Sequence, residues 1–305
     1  MDQSSGSAAY RSGVVAIIGP PNAGKSTLLN HFLGQKIAIV TPKPQTTRNR
    51  ILGILTGEGY QIILLDTPGL HKPRELLNRE MVRIALDTLA EADVVLFLAD
   101  ATVRTPERLE KLGREFAVYL QRVSCPVILA LNKIDQLDKA LLLPLLDRYR
   151  SLHPFAAMVP VSALQGEGTG LLLEELVRLL PEGPRYYPDD IPTDATERFI
   201  AAEIIREKVF LLTRDEVPYS TAVLIDSFQE SAGGRPVVIH ATILVEQPSQ
   251  KGIIIGQQGR MLGQIRKKAM PDIEEMLDRK VTLRLWVKVK KNWTSNEQVL
   301  RDLGL

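Results

Sequence analysis

A glycine-containing stretch near the start of the chain, GPPNAGKST, has residues that could hold the phosphates of a nucleotide. It matches the pattern G-x-x-x-x-G-K-[ST], between an apolar run and a helical pattern. In such a loop the backbone N–H groups turn toward the phosphates, Lys25 reaches the β and γ phosphates, and the Ser26 hydroxyl binds Mg²⁺. The residues expected to contact the phosphates are Gly19, Pro20, Asn22, Ala23, Gly24, Lys25, Ser26 and Thr27.

A second pattern, DTPG, closes the apolar run YQIILLDT. Asp66 could hold Mg²⁺ through water, and the Gly69 backbone N–H could contact the γ-phosphate. Because that contact is lost when the phosphate leaves, the following loop is expected to act as a switch. The alternative is an ordinary turn rich in Pro and Gly.

A third pattern, NKID, follows the run PVILAL and could select the purine. The Asp135 carboxylate can accept from N1–H and the 2-amino group of guanine, with Asn132 and Lys133 beside it. Adenine offers no such pair of donors and would leave the carboxylate desolvated, so an ATPase is the weaker alternative. Ser162 and Ala163 follow another apolar run, and a backbone N–H there could meet the guanine O6.

Each of these patterns lies at the end of a predicted buried strand. The apolar runs VVAIIG, YQIILLDT, VVLFLAD, PVILALNK and AAMVPVSA alternate with amphipathic helical stretches, which is typical of an α/β doubly wound domain. Open sheets of this kind bind ligands at the carboxyl ends of their strands. The sequence therefore predicts a nucleotide-binding domain over 13–180, after a flexible lead-in over 1–12.

The remainder of the chain predicts a smaller α+β domain. A proline-rich linker over 181–193 precedes it, and 194–305 has the order helix, strand, strand, helix, break, helix, strand, with SAGGR as the turn between the strands. The break is the sequence GQQG, ahead of a basic helix. Such a glycine loop can clamp the backbone of a few unpaired nucleotides.

The charge distribution agrees with a local RNA-binding surface. The chain carries a net charge of +2, and 181–305 has eighteen basic and eighteen acidic residues, but 251–291 has eleven basic against four acidic. A solvated helix face or a protein-interaction domain remains the alternative. Trp286 and Trp293 could stack on bases, although packing is favoured for both. The residues expected to contact RNA are Lys251, Ile255, Gly256, Gln257, Gln258, Gly259, Arg260, Arg266, Lys267, Lys288 and Lys290.

Composition excludes several other classes of protein. The single cysteine, Cys125, cannot form an internal disulfide, which favours the reducing cytoplasm. The N-terminus lacks an apolar signal region, and the apolar runs are too short to span a bilayer.

The four nucleotide patterns make 14–180 resemble a translation-factor-class GTPase, and the order of elements around the glycine loop resembles a type II KH domain. Together with QTTR, EVPYS and LWVKVK, they resemble the Era family of bacterial ribosome-assembly GTPases. This resemblance implies GTP, GDP and Mg²⁺ as ligands, binding to the 3′ end of 16S ribosomal RNA, and a role in assembly of the small (30S) subunit. It also implies a cytoplasmic protein with peripheral inner-membrane association. We expect a monomer that does not bind DNA.

The resemblance also assigns roles within the site. The first switch is expected in TPKPQTTRNR, with Thr47, just before an Arg, favoured over Thr46 as the Mg²⁺ ligand. Leu70 stands where many GTPases have the glutamine that orients water, so hydrolysis is expected to be slow. Asn22 matches an asparagine that helps to hold K⁺ in several relatives, or else stabilises the loop's turn. The alternative is an RNA-binding protein that binds GTP but rarely hydrolyses it. Catalytic roles are thereby predicted for Lys25, Asn22, Thr47 and Gly69.

Overall fold

The structure is a computed structural model that describes residues 9–69, 76–103, 105–121, 123–229 and 236–305. Contacts among these residues divide the chain into two compact units. The first unit contains the described parts of 1–35, 50–71 and 82–194, and the second contains those of 36–49, 72–81 and 195–305.

The first unit is built on a six-stranded sheet. Its strands are β1 (Arg11–Ile18), β2 (Ile51–Gly57), β3 (Tyr60–Asp66), β4 (Val94–Asp100), β5 (Val127–Asn132) and β6 (Ala157–Val161). They lie in the order β2-β3-β1-β4-β5-β6; the β2–β3 pair is antiparallel and the other pairs are parallel. The parallel strands require crossover connections, and these are helical.

The helices that accompany this sheet keep its strands away from water. They are α1 (Lys25–Leu33), α3 (Pro106–Leu120), α4 (Leu142–Arg150), α5 (Thr169–Leu179) and, from residue 82 onward, α2 (Leu76–Ala90). The central strand β4 is buried from Val94 to Ala99, as expected of a parallel strand covered on both faces. This confirms the predicted doubly wound α/β fold.

Two elements of the first unit differ from the sequence expectation. Strand β1 begins at Arg11, inside the expected lead-in, because Arg11 and Ser12 pair with Tyr60 and Gln61 of β3. Strand β2 was not predicted. Its signal was the short turn between ILGILT and YQII, which is typical of a hairpin.

The proline-rich segment 181–193 is hydrogen-bonded to the first unit. Ser12 N donates to Pro181 O over 3.1 Å, and Ile54 N donates to Pro192 O over 2.8 Å. Between these points, Gln61 Nε2 donates to Tyr187 O over 2.8 Å. The expected linker is therefore held by the sheet along its length.

The second unit has a three-stranded sheet with helices. Its elements are α6 (Glu197–Leu212), β7 (Ala222–Gln229), β8 (Val237–Val245), α7 (Pro248–Ile255), α8 (Arg260–Leu277), β9 (Val281–Val289) and α9 (Glu297–Asp302). β7 is antiparallel to the central β8, and β9 is parallel to it. The predicted order of elements is confirmed, with α9 as an addition; the expected turn SAGGR lies outside the described residues.

Two segments expected in the nucleotide-binding domain belong by their contacts to the second unit, namely 36–49 and the described residues 76–81. Leu77 and Met81 are buried in an apolar cluster with Trp293 and Leu300. Arg48 is buried as well and donates to backbone carbonyls of the second unit. Because these contacts join residues far apart in sequence, periodicity along the chain did not indicate them.

Candidate functional site

The phosphate loop runs from the end of β1 to the start of α1, in the context that its pattern requires. Gly24 has φ 98° and precedes α1. A Cβ atom at this position would lie 2.2 Å from Asn132 Nδ2. Glycine is therefore needed at Gly24 both for its left-handed backbone and for the close approach of Asn132. Thr27 lies in the first turn of α1.

Lys25 is buried within this loop. Its Nζ donates to Gly19 O and Pro20 O, each over 3.2 Å. Burial lowers the pKa of Lys25, and the nearby charge of Asp66 only partly opposes this. The loop thus holds a poorly solvated cation, which the negative charge of a phosphate would stabilise.

Ser26 and Asp66 form the oxygen-rich part of the site. Ser26 Oγ donates to Asp66 Oδ2 over 2.6 Å, and Asp66 is buried at the end of β3. A hydroxyl and a carboxylate are ligands that Mg²⁺ prefers, so this pair fits a magnesium ion.

The segment after Asp66 lies against the phosphate loop. Thr67 Oγ1 donates to Ile17 O over 2.8 Å, which ties the end of β3 to β1. A Cβ atom at Gly69 would lie 3.0 Å from Pro21 N. The structure therefore brings the second pattern to the first, while Leu70 lies outside the described residues.

Asn132, at the end of β5, joins the phosphate loop to the loop after β6. Its Nδ2 donates to Ala23 O over 2.7 Å, and its Oδ1 accepts from Ala163 N over 2.9 Å. Ser162 N donates to Glu167 O over 2.8 Å. The two N–H groups considered for the guanine O6 thus already have acceptors within the protein, which the sequence did not indicate.

Lys133 and Asp135 follow Asn132. Lys133 has φ 68°, and its Nζ donates to Asp100 Oδ2 over 2.6 Å. Sequence patterns missed Asp100, although it ends the buried strand β4 in the same way that Asp66 ends β3. Asp135 lies exposed in a single 3₁₀ turn over Ile134–Gln136. This position leaves its carboxylate accessible to a base.

The two threonines of the expected first switch lie in the second unit. Thr46 O accepts from Arg206 Nη2 over 2.5 Å, and Thr47 is buried. The next residue, Arg48, donates to Tyr219 O and Thr221 O, each over 2.7 Å, and burial lowers its pKa to about 9, which leaves it a cation at neutral pH. The role of Thr47 as a Mg²⁺ ligand stays a prediction.

The glycine loop of the second unit connects α7 to α8. Gly256 has φ 70°, and a Cβ atom there would lie 2.6 Å from Met261 Cβ, so this position requires glycine. Gln257 and Gln258 are exposed in a 3₁₀ turn, and α8 begins directly after Gly259. Exposed amides beside a helix N-terminus suit a phosphate.

The basic residues near this loop are distributed over a helix and a strand. Arg266 and Lys267 are exposed on α8, and Lys288 is exposed on β9. The other expected RNA contacts flank the loop or follow β9: Lys251 and Ile255 are half-buried, whereas Arg260 and Lys290 are exposed.

The two tryptophans have opposite surroundings. Trp293 is fully buried, and its Nε1 donates to Ser220 O over 2.9 Å, so it packs as favoured. Trp286 is 48% exposed on β9, and its ring lies 5.2 Å from that of His240. Trp286 is thus partly packed and partly exposed, and the choice between packing and base stacking stays a prediction for this residue.

Comparisons with known proteins agree with this geometry. A family model described as a 50S ribosome-binding GTPase matches residues 14–133, and one described as a KH domain matches 216–294. The chain is 51% identical to the GTPase Era of Geobacter metallireducens, over 97% of this chain and 98% of that protein.

Two solved structures of Era are similar over nearly the whole chain, each with 42% identity and a TM-score of 0.91. One, from Aquifex aeolicus, is bound to GDP·AlF4⁻ and covers 96% of this chain and 99% of its own. The other is in complex with MgGDPNP and nucleotides 1506–1542 of 16S ribosomal RNA, and covers 97% and 99%.

Proposed function

This chain belongs to the Era family of GTPases, and we propose that it hydrolyses GTP, binds the 3′ end of 16S ribosomal RNA through its KH domain and acts in assembly of the 30S subunit. Nucleotide binding is supported chiefly by the two side-chain hydrogen bonds of Asn132. These bonds hold the phosphate loop and the loop of Ala163 together. Beside it, the Asp135 carboxylate is exposed for a purine.

Replacement of Asp135 tests the choice of base. In Asp135→Asn, an amide N–H₂ replaces one acceptor, and it can donate to the 2-oxo group of xanthine but not to the 2-amino group of guanine. We expect GTP affinity to fall by roughly two orders of magnitude or more, with a gain for xanthosine triphosphate. The matched control is Asp138→Asn, because an Asn there can still cap Ala140 N. Calorimetry that finds unchanged GTP affinity would overturn guanine recognition by Asp135.

The phosphates are placed by residues of the loop and of the segment after β3. The buried Lys25 ammonium supplies a positive charge. Gly69 lies against Pro21 of the loop, and its backbone N–H is predicted to contact the γ-phosphate. Ser26 and Asp66, with Thr47 as a further predicted ligand, would hold the magnesium ion, which neutralises charge on the phosphates. These groups position the phosphates and stabilise charge that develops during hydrolysis.

Asn22 supports a role for potassium. It lies exposed in the phosphate loop with φ 63°, where its amide oxygen could help to hold K⁺ beside the β and γ phosphates. A cation there would stabilise developing negative charge. We expect kcat to be higher in KCl than in NaCl at equal ionic strength, and Asn22→Ala to abolish the difference. If kcat of the unsubstituted protein is the same in KCl and in NaCl, Asn22 only stabilises the turn of the phosphate loop.

The glycine loop supports RNA binding. Its exposed residues Gln257 and Gln258 precede a helix N-terminus, and cations follow on α8. Replacement of both residues by Asp would repel a phosphate backbone. We therefore expect loss of binding to an RNA of nucleotides 1506–1542 of 16S ribosomal RNA, the segment bound in one Era structure. Replacement of both by Asn, which keeps the charge at zero, is the matched control. If the glycine loop belongs instead to a protein-interaction domain, neither variant should change the affinity of the protein for this RNA.

A polar network within the second unit supports coupling between nucleotide and RNA. Lys36 Nζ lies 2.7 Å from Glu207 Oε2 and 2.7 Å from Asp272 Oδ2, and Lys208 contacts the same two carboxylates. The segment that carries Thr47 is thereby joined to α6 and to α8, the helix after the glycine loop. Any change in this segment on GTP binding would alter these contacts. RNA affinity measured with a GTP analogue and with GDP is expected to differ.

The remaining proposals concern the cell. We propose that the protein is a cytoplasmic monomer and that a fraction of its molecules associates peripherally with the inner membrane. The helices in the described part of the chain lack the length and apolar character of a membrane span. Flotation with vesicles of bacterial lipids tests the association, and a sedimentation measurement tests the oligomeric state.

A further inference from the structure

We propose that the sheet face of the second unit that carries Trp286 is a second RNA-contact surface, distinct from the glycine loop, on which Trp286 stacks against an unpaired base. This inference rests on the proposed RNA binding. It adds a contact because the RNA segment proposed above is far longer than the four nucleotides that a KH glycine loop clamps.

The alternation of strand β9 separates two faces of the sheet. Val281, Leu283 and Val287 are buried, whereas Arg284 and Trp286 are exposed. Successive side chains of a strand point to opposite faces, and α8 packs against β9 on the buried one. Trp286 therefore lies on the face away from the helix that follows the glycine loop.

The exposed face combines an aromatic platform with positive charge. The ring centroids of Trp286 and His240 lie 5.2 Å apart, and the two ring planes are tilted by 55°. His240 therefore packs against one side of the indole. Arg284 and Lys288 lie two residues to either side of Trp286, on the same face. The acidic side chain across the sheet, Asp226, accepts from Thr242 Oγ1 over 2.7 Å.

These features favour RNA over a protein partner. Base stacking on an exposed aromatic side chain, with cations beside it for the phosphates, is a general mode of binding unpaired nucleic acid. Part of the same sheet face is covered within the second unit, because Ala222 and Leu244 pack with Leu77, Met81 and Trp293. The Trp286 end is exposed, and its charge complements a phosphate backbone.

The central experiment compares long and short RNA with Trp286→Ala. The long probe is the RNA of nucleotides 1506–1542 of 16S ribosomal RNA, and the short probes are RNAs of about four nucleotides tiled along it. We expect a loss of roughly 5-fold to 100-fold in affinity for the long RNA. Affinity for the tightest short RNA should be unchanged, because that RNA fills only the glycine loop.

Two variants serve as controls. Trp286→Phe keeps an aromatic face and should retain most of the affinity. Leu211→Ala truncates an apolar side chain of matching exposure, 47% against 48%, on helix α6, and should bind both RNAs as the unsubstituted protein does. Arg284→Ala should lower affinity for the long RNA. It should also reduce the slope of log affinity against log salt concentration by about one.

Fluorescence quenching distinguishes direct contact of Trp286 with RNA from a purely structural role of this residue. The chain has two tryptophans, and Trp293 is fully buried, so acrylamide should quench mainly Trp286. The long RNA should protect Trp286 from acrylamide, and the short RNA should not.

The outcomes are distinguishable. Unchanged long-RNA affinity in Trp286→Ala, or an equal loss for short and long RNA, overturns the second surface. Loss of binding to ribosomal proteins with RNA affinity unchanged would assign the surface to protein contacts instead. If the unsubstituted protein bound neither RNA, the proposed function itself would fail.

Discussion

Lys36 Nζ donates to Asp272 Oδ2 over 2.7 Å and so joins two residues that are 236 positions apart. Burial alone would lower the pKa of Lys36, but its hydrogen bonds to Asp272 and Glu207 outweigh this and leave the pKa raised. The pair connects the segment of the expected first switch to the helix that begins at the glycine loop. It is therefore the most direct place to test coupling between nucleotide and RNA.

Lys36→Met should reduce the dependence of RNA affinity on the bound nucleotide. The ratio of RNA dissociation constants with GDP and with a GTP analogue should move toward one. Glu207 and Asp272 keep Lys208 as a partner, so the fold should persist. Lys139→Met, at an exposed lysine of the first unit, is the control, and an unaltered ratio in Lys36→Met would rule out this route.

Arg48→Met should destabilise the second unit by about 3 kcal/mol, because three backbone carbonyls lose a charged donor. Arg48→Lys should recover little, since an ammonium cannot reproduce the guanidinium geometry. Thermal unfolding followed by tryptophan emission in a Trp286→Phe background measures the change, because the remaining Trp293 has its ring centroid 5.8 Å from the Arg48 guanidinium carbon. Arg50→Met removes an exposed ion pair with Glu91 and should change stability by at most about 0.5 kcal/mol.

Gly24→Ala should abolish GTP binding. The new Cβ would meet Asn132 Nδ2 and would occupy a left-handed backbone position with φ 98°. The bridge from Asn132 to the phosphate loop should then break, and the melting temperature should fall. Gly170→Ala is the matched control on α5, where a Cβ meets nothing within 4 Å, and it should be neutral or stabilise by up to about 1 kcal/mol. Equal nucleotide affinity in both variants would contradict the role given to Gly24.

Lys25→Met should stabilise the nucleotide-free protein at pH 7 while it abolishes GTP binding. Burial lowers the pKa of Lys25 below 10.5, so the charged form is disfavoured in the folded state. As pH rises through the folded pKa, the folded protein releases this proton before the unfolded chain does. The free energy of unfolding should therefore rise with pH up to about 10.5.

Denaturation of the nucleotide-free protein at a series of pH values measures this effect. The rise should be smaller in Lys25→Met than in the unsubstituted protein. Lys111→Met, at an exposed lysine on α3, should leave it unchanged. A lower stability of Lys25→Met at pH 7 would show that the hydrogen bonds to Gly19 O and Pro20 O outweigh the burial of charge.

The sequence by itself determined the local parts of this protein. The phosphate loop, the segment at Asp66 and the glycine loop at Gly256 are contiguous patterns, and glycine conformation and strand or helix periodicity act over a few neighbouring residues. The same local rules gave the α/β fold of the first unit and the order of elements in the second.

Only the tertiary structure decided which distant residues meet. Asn132 binds Ala23 and Ala163, and the segment with Arg48 joins the second unit, because long-range packing places these backbones side by side. The tryptophans differ for the same reason. Periodicity places Trp286 on one face of a strand, but which faces are covered depends on elements elsewhere in the chain, and packing buries Trp293 while it leaves Trp286 exposed.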